Sequence, residues 1–412
     1  MRISTMQQFN TGVNAMLDNQ KATLNTQQQI STGRSILTPA DDPIASTRIL
    51  QLQQDISLRE QFNDNVTAAR NRQNLEEAIL TSITENVSKI RELTVNAGNG
   101  SMTQEDRTYI SFEIEERLNA LVDLMNTKDA SNTYIFSGFK GETLPFPERA
   151  GGGVTFVGDE GERTLEVSSS TKVQTNDSGK KLFMDIQSDK NNFYTQDNAR
   201  NIGTGYISNG FVSIQDEYDD FYPEDMVIRF NPEGYIAPPG PNYTVMTGSE
   251  NRAIDGLDGQ PFSPGTPLEI KGLNFKIAGE PEPGDSFFVQ SSPKQALTDT
   301  VSGLIEGLRT LGDDPEQSAA LDALLETSLE NLDNAQSSIS EVRSQIGGRL
   351  NTLDNMENLH ADVDLVSQEI LSKLQDIDFA EAVSRLSLET FLLEASQQSF
   401  TQINRLSLFN SI

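Results

Sequence analysis

The chain has 412 residues, a length that allows two or three domains with sizeable hydrophobic cores. Its formal net charge of −30 argues against nucleic acid as a partner, and the absence of cysteine excludes disulfides and thiol chemistry. The N-terminus lacks the apolar core of a secretory signal, and no long apolar run occurs. We therefore expect neither a cleaved leader nor a membrane-spanning helix.

Proline positions divide the chain into three parts. After Pro43 the next proline is Pro145, and after Pro315 there is none. Thirteen of the sixteen prolines lie between Pro145 and Pro293. Because proline breaks helix interiors and marks turns, this distribution predicts a mainly α-helical protein with an inserted, antiparallel β domain. The helices of the two flanks are expected to pair in a coiled coil or bundle.

The first predicted helix covers residues 1–31, where one seam recurs at steps of three and four. The seam begins apolar and has polar residues in its second half: Met6, Phe9, Val13, Met16, Gln20, Thr23, Gln27 and Ile30. Ordering seven residues costs about 7–14 kcal/mol, whereas burying two seam side chains returns about 3–6 kcal/mol. We therefore expect this segment to fold only against several neighbours, such as other copies of the protein or its relatives.

The stretch "STGRSILTPADDPIAS", Ser31–Ser46, predicts a joint between two helices. Gly33 can take the left-handed conformation that ends a helix. Asp42 can accept hydrogen bonds from the free N–H groups of the next helix, and Pro43 fits its first turn. The second helix is expected to run from Pro43 toward Asn96. The residues predicted to shape the joint are Gly33, Arg34, Asp41, Asp42 and Pro43.

The middle of the chain has short β-prone runs separated by glycine and proline. They predict an antiparallel sandwich or barrel-like domain over 141–293. The runs are "VTFVGDEGERTLEV" (two strands around a turn), "MVIRF", "LEIKGLNFKI" and "SFFVQ".

The C-terminal flank again has helical periodicity, with a long seam over 332–370 that loosens near Gly347–Gly348. In the last helix Phe379, Leu386, Leu393 and Phe400 recur every seven residues. Its amide-rich, weakly charged ending suits packing into an array in which charges would be desolvated. The residues predicted to form the assembly interface are Met6, Phe9, Val13, Met16, Leu386, Leu393, Phe400 and Leu408.

Three features were weighed as chemical sites. His360, the only histidine, lies on the helical seam and has no second histidine or cysteine for a zinc site or a catalytic arrangement. "GTGYISNG", residues 203–210, resembles a phosphate loop but lacks its third glycine, so we interpret it as a hairpin turn. The acidic run 216–225 lacks the spacing of a calcium loop and favours a solvated outer loop. We expect no enzymatic activity, cofactor or metal.

Several segments resemble bacterial flagellar axial proteins, and within them the hook–filament junction branch of the flagellin-like family. The resemblance covers about 1–145 and 294–412, and is weaker in the insert. The segments that carry it are "MRISTMQQF", the joint, "NAGNGSMTQEDR", "NTYIFSGFKGE" and "DIDFAEAVSRLSLETFLLEASQQSFTQINRLSLFN".

The resemblance implies a structural role, with type III export that needs no cleaved signal. It implies an inner terminal-helix domain (1–38 with 377–412), a helical-bundle domain (39–140 with 294–376) and an outer β domain (141–293). The implied partners are the first junction protein on the hook side, flagellin on the filament side, copies of the chain in a ring, and an export chaperone. A flagellin filament subunit remains an alternative, and so does a coiled-coil surface adhesin. Neither nucleic acid nor membrane is an expected partner.

Overall fold

The computed structural model describes residues 5–409, with side chains described for residue 7 and for 9–402. These residues divide into two compact units. The terminal unit comprises the described parts of Met1–Asn65 and Asn355–Ile412, and the body unit comprises Val66–Asp354.

Helices form both flanks of the chain, as the proline distribution predicts. The second helix begins at Pro43, the residue predicted from the joint. Residues 315–375, which include the predicted seam, form one continuous helix. The helices are α1 (Thr5–Thr32), α2 (Pro43–Ala97), α3 (Gln104–Met125), α4 (Gln215–Phe221), α5 (Leu297–Thr310), α6 (Pro315–Gln375) and α7 (Phe379–Phe409).

In the body unit, α2, α3, α5 and α6 contribute to one hydrophobic core. Ile83, Leu121, Leu304 and Ile339 are fully buried in it. Ion pairs join the same helices, for example a 2.8 Å contact between Arg309 Nη2 and a Glu115 carboxylate oxygen. The predicted seam of α6 is buried at Leu332, Ala335, Ile339, Val342, Ile346 and Leu353.

The β strands lie between the helical flanks, in agreement with the predicted insertion. All their pairings are antiparallel. The strands are β1 (Thr164–Glu166), β2 (Lys172–Gln174), β3 (Ile186–Asp197), β4 (Tyr206–Ile207), β5 (Phe211–Val212), β6 (Met226–Asn231), β7 (Asn242–Thr247), β8 (Gln260–Pro261), β9 (Pro267–Ile270), β10 (Leu273–Ala278) and β11 (Ser286–Gln295).

Two sheets enclose a second hydrophobic core in the body unit. The larger has the order β3-β11-β6-β7-β8, and in the smaller β10 pairs with β4, β5 and β9. Phe230 packs edge-on against Phe287 and Phe262, with ring centroids 5.8 and 4.8 Å apart. The β9–β10 hairpin turns at Lys271 and Gly272, which have φ of 55° and 72°, the left-handed pair that a tight hairpin requires.

Three local predictions about the insert were wrong. Of the two strands predicted in Val154–Val167, only β1 forms, because the Asp159 carboxylate accepts the N–H groups of Phe139 and Gly161 and fixes a turn there. "GTGYISNG" is more than a hairpin turn, because it contains β4, whose buried Ile207 pairs with Ile277 of β10.

The third correction concerns the acidic run, which was predicted to be an outer loop. Its first part is the helix α4. Tyr218 fixes this helix to the sheet, since its ring is buried and its hydroxyl donates to Asn192 O at 2.7 Å. Burial also raises the pKa of Tyr218 to about 12. Burial of the Tyr218 ring therefore holds this segment against the sheet, although its acidic neighbours favour contact with solvent.

Candidate assembly surface

The joint after α1 is organised by backbone geometry and by two carboxylates. Gly33 has φ of 69°, the left-handed conformation predicted for it. The Asp41 carboxylate accepts the N–H groups of Leu37 and Thr38 at 3.0 and 2.8 Å. The Thr38 backbone hydrogen bond is the main reason that the pKa of Asp41 is lowered.

Asp42 caps α2 at its N-terminus. Its Oδ1 accepts the N–H groups of Ile44 and Ala45 at 3.0 and 2.9 Å, and Pro43 occupies the first helical position. The start of α7 repeats this arrangement, because Asp378 Oδ1 accepts the N–H of Ala380 at 2.9 Å. Each terminal helix is thus joined to a long helix at a point where an aspartate caps the helix that follows.

The joint after α1 contacts the short connection between α6 and α7 in the terminal unit. Ser35 N donates to Gln375 O at 2.8 Å, and Ile377 N donates to Gly33 O at 3.0 Å, which forms a bridge between Arg34 and Asp376. With the Gln375 amide oxygen turned toward Arg34, its distances to Nε and Nη2 are 2.7 and 3.1 Å. These bonds fix the ends of α1 and α7 side by side.

Beyond the joints, α1 packs along α7. The rings of Phe9 and Phe400 have centroids 5.1 Å apart. A Cβ at Gly12 would be 3.2 Å from the Phe400 ring, so a small residue is needed there. About two turns after Gly12 on α1, Asn19 Nδ2 donates a hydrogen bond to Ser396 Oγ of α7 at 2.9 Å.

Most predicted interface residues lie on this helix pair, and their side chains are only partly buried. Val13 and Met16 of α1 and Leu386, Leu393 and Phe400 of α7 are half-buried. Phe9 is 42% exposed although it contacts Phe400. The side chains of Met6 and Leu408 lie outside the described residues.

Another set of apolar residues in the terminal unit, apart from Val363 and Phe379 on the predicted seams, was missed by the sequence reasoning. These side chains are exposed: Leu17, Leu24, Ile44, Leu50, Leu58, Leu359, Val363, Leu365, Val366, Phe379, Val383, Leu388, Phe391 and Leu392. A signal was available in the run Phe391–Leu393. Three consecutive apolar residues on a helix point in different directions and cannot all face one partner helix.

The terminal unit has very little core of its own. Among its described residues, the buried apolar side chains are Phe62 and Ala382. Charge is sparse on α1, whose only charged residues are Asp18 and Lys21. A weakly charged surface with many exposed apolar side chains is typical of a protein interface.

His360 is a structural residue of the terminal unit. Its ring is buried and stacks against Phe62 at 6.1 Å between centroids, and Nδ1 lies 2.8 Å from Asn63 Oδ1. Burial lowers the pKa of His360 despite the nearby Asp364. The described residues contain no group of three or more His, Cys, Asp or Glu arranged to hold a metal ion. Across residues 5–409, no helix combines the length and apolarity needed to cross a bilayer.

Comparisons with known proteins agree with this architecture. The family model of the bacterial flagellin N-terminal helical region matches residues 3–140, and that of the C-terminal helical region matches 329–411. The chain therefore belongs to the flagellin-like family of flagellar structural proteins. It is a component of the flagellum and not an enzyme.

Within this family the chain is similar along its whole length to flagellar hook-associated protein 3. It is 24% identical to that protein of Escherichia coli K12 over 409 residues, which cover 99% of each chain. Two solved structures from Legionella pneumophila, hook-associated protein 3 and the flagellar junction protein FlgL, are 28% and 29% identical. Their TM-scores are 0.54 and 0.51, and they cover 79% and 80% of this chain and 98% and 99% of their own.

Proposed function

We propose that this chain connects the flagellar hook to the flagellin filament as a junction protein. The observation that supports the proposal most directly is the terminal unit, whose described large apolar side chains, apart from Phe62, are exposed or only half-buried although most lie on well-formed helices. Such helices complete their burial only against other molecules. The whole-length similarity to hook-associated protein 3 supports the proposal that those molecules are the components of the junction.

In this proposal α1 and α7 pack against copies of the chain in a ring. The ring contacts the first junction protein on the hook side and flagellin on the filament side. The residues proposed to form the interface are Phe9, Val13, Met16, Leu386, Leu393 and Phe400, together with Met6 and Leu408. The joint residues Gly33, Arg34, Asp41, Asp42 and Pro43 set the path of the chain between the terminal helices and the rest.

The domain organisation is proposed in the same terms. Residues 1–38 and 377–412 form an inner domain, 39–140 and 294–376 a helical bundle, and 141–293 an outer β domain. The chain leaves the cell through the flagellar type III export apparatus without a cleaved signal, escorted by a chaperone that covers the C-terminal helix. The exposed apolar residues of α7, such as Phe391 and Leu392, are what such an escort would shield.

Deletion of the gene tests the proposal. Electron microscopy of the cells and measurement of flagellin in the medium should show hooks without filaments and monomeric flagellin released outside. Restoring the gene on a plasmid is the control. Missing filaments with no released flagellin would instead identify the chain as the filament subunit, an alternative that the flagellin family models support. Normal filaments would contradict both roles and favour a surface adhesin.

A further inference from the structure

A buried polar cluster lies in the body unit, between α2, α6 and the segment that follows β2. Gln73 and Glu76 of α2 are fully buried, and Asp177 is 7% exposed. Arg349 reaches the cluster from α6. Nothing in the proposed junction role uses these residues.

The cluster holds the backbone of the insert against the helices. Gln73 Nε2 donates to Gln174 O at 3.3 Å, and the N–H of Asp177 donates to Glu76 Oε1 at 3.2 Å. Arg349 donates to both carboxylate oxygens of Asp177, at 2.5 and 3.0 Å. The backbone of segment 174–177 is therefore bound by α2, and the side chain of Asp177 is bound by Arg349 of α6.

Two oxygens of the cluster have no hydrogen-bond donor among the described residues. They are Glu76 Oε2 and Gln73 Oε1. Residues three apart on a helix are neighbours on the same face, so these two acceptors belong to adjacent side chains. A buried acceptor without a donor destabilises the folded state, and a buried charged oxygen does so more strongly.

The charges around Glu76 are already paired. Arg349 forms an ion pair with Asp177, and Arg72 of α2 forms one with Asp129 at 3.2 Å. The remaining charged groups nearby are Arg163, whose charge repels that of Arg72, and Glu162, whose charge attracts that of Arg349. No described cation forms an ion pair with Glu76, and its position beside Asp177 adds repulsion.

We propose that Glu76 is protonated in the folded chain and that its O–H donates to Gln73 Oε1, so that one proton fastens segment 174–177 to α2. This proton turns Glu76 Oε2 from an unpaired acceptor into a donor, supplies a donor to Gln73 Oε1 and removes the unpaired charge. The inference is independent of the junction role, because it concerns how the β insert is attached within one chain.

The electrostatics have the same direction. Burial, reinforced by Asp177, raises the pKa of Glu76 from 4.5 to about 8, against the opposing effect of Arg349. A carboxyl whose folded pKa is raised binds more protons in the folded state than in the unfolded state. The stability that it contributes is therefore present below pH 4.5 and is lost as pH rises to about 8.

The test uses the full-length chain and the isosteric variant Glu76→Gln, whose amide can donate to Gln73 without a proton. Glu85→Gln is the matched control, because Glu85 lies exposed on the same helix. Infrared spectra at pH 7 should show a protonated carboxyl band that disappears in Glu76→Gln and persists in Glu85→Gln. Asp299, whose pKa burial raises to about 6, is present in every variant and cancels in the difference.

Amide hydrogen exchange gives the second readout. After correction for intrinsic exchange, the opening constant of amides 174–177 should rise about tenfold per pH unit between pH 5 and 8 in the natural chain. It should be independent of pH in Glu76→Gln and follow the natural chain in Glu85→Gln. A protonated carboxyl band that is as intense in Glu76→Gln as in the natural chain, or equal pH dependence in all three proteins, would overturn the proposal.

Discussion

The terminal unit and the body unit use apolar residues in opposite ways. Among the described residues, the body unit buries aromatic side chains such as Phe136, Phe275 and Phe287 completely, whereas the terminal unit buries only Phe62 and Ala382 among its apolar side chains. The terminal unit has fewer than half as many residues, yet it exposes fifteen large apolar side chains and the body exposes nine. One chain thus combines a unit with an extensive core of its own and a unit that buries very few of its described apolar side chains.

The contacts between elements differ in the same direction. In the body, Phe136, Phe146 and Phe183 form an aromatic cluster with centroids 5.2 and 5.8 Å apart. Among the described side chains of α1 and α7, the ring pair Phe9 and Phe400 is partly exposed, and a hydrogen bond between Asn19 and Ser396 lies further along the two helices. A partly polar contact surface of this kind is what the proposed assembly role would require.

The largest effect is expected from a cavity in the body core. Phe136→Ala should lower the free energy of unfolding by about 3–5 kcal/mol, because Phe136 is fully buried and contacts the Phe183 ring. Phe139→Ala is the matched control from the same loop, since Phe139 is 63% exposed. Urea denaturation of both variants measures the difference. Equal losses of unfolding free energy in the two variants would contradict the assignment of Phe136 to the core and of Phe139 to the surface.

A smaller effect on the monomer, but a complete block of assembly, is expected from Phe400→Asp. The carboxylate replaces a half-buried ring that contacts Phe9, so the pairing of α1 with α7 should weaken by about 2 kcal/mol. Incorporation into flagella, followed by antibody labelling in electron microscopy, should be lost while the body melts normally. Gln397→Asp places the same charge at an exposed position and should assemble. Normal incorporation of Phe400→Asp would show that the contact between Phe9 and Phe400 is not needed for assembly.

The sequence predicts helices and joints well where single residues have strong local effects. Gly33, Asp42 and Pro43 each act within one turn of chain, and the structure places the end of α1 and the start of α2 beside them. The hairpin of β9 and β10 is similarly local, because Gly272 accepts a left-handed conformation. The mainly α architecture with an antiparallel insert follows from such signals together with the distribution of proline.

Features that depend on distant contacts were not predictable in the same way. Helix α4 forms from an acidic run because Tyr218 reaches Asn192 and Ser291, which lie far away in sequence. The exposed residues around Phe391 were missed because a seven-residue repeat describes one helix face only, and the second face is exposed in the part of the chain that the structure describes. Periodicity identifies which residues share a face, but it does not say which faces a single molecule covers.

The smallest effect on the free chain, and the sharpest distinction between the two units, is expected from Phe391→Ala. Phe391 is 66% exposed, so its loss should change the monomer's free energy of unfolding by less than about 0.5 kcal/mol. If a neighbouring molecule buries the ring, each assembled copy loses about 1.5–3 kcal/mol, roughly a tenfold to hundredfold weaker association. Chemical denaturation and competitive incorporation against the natural chain measure the two quantities on one sample. Ser387→Ala, an exposed position on the same helix, should alter neither. Unchanged incorporation of Phe391→Ala would mean that Phe391 faces solvent in the flagellum, and an unstable monomer would mean that the terminal unit already buries the ring by itself.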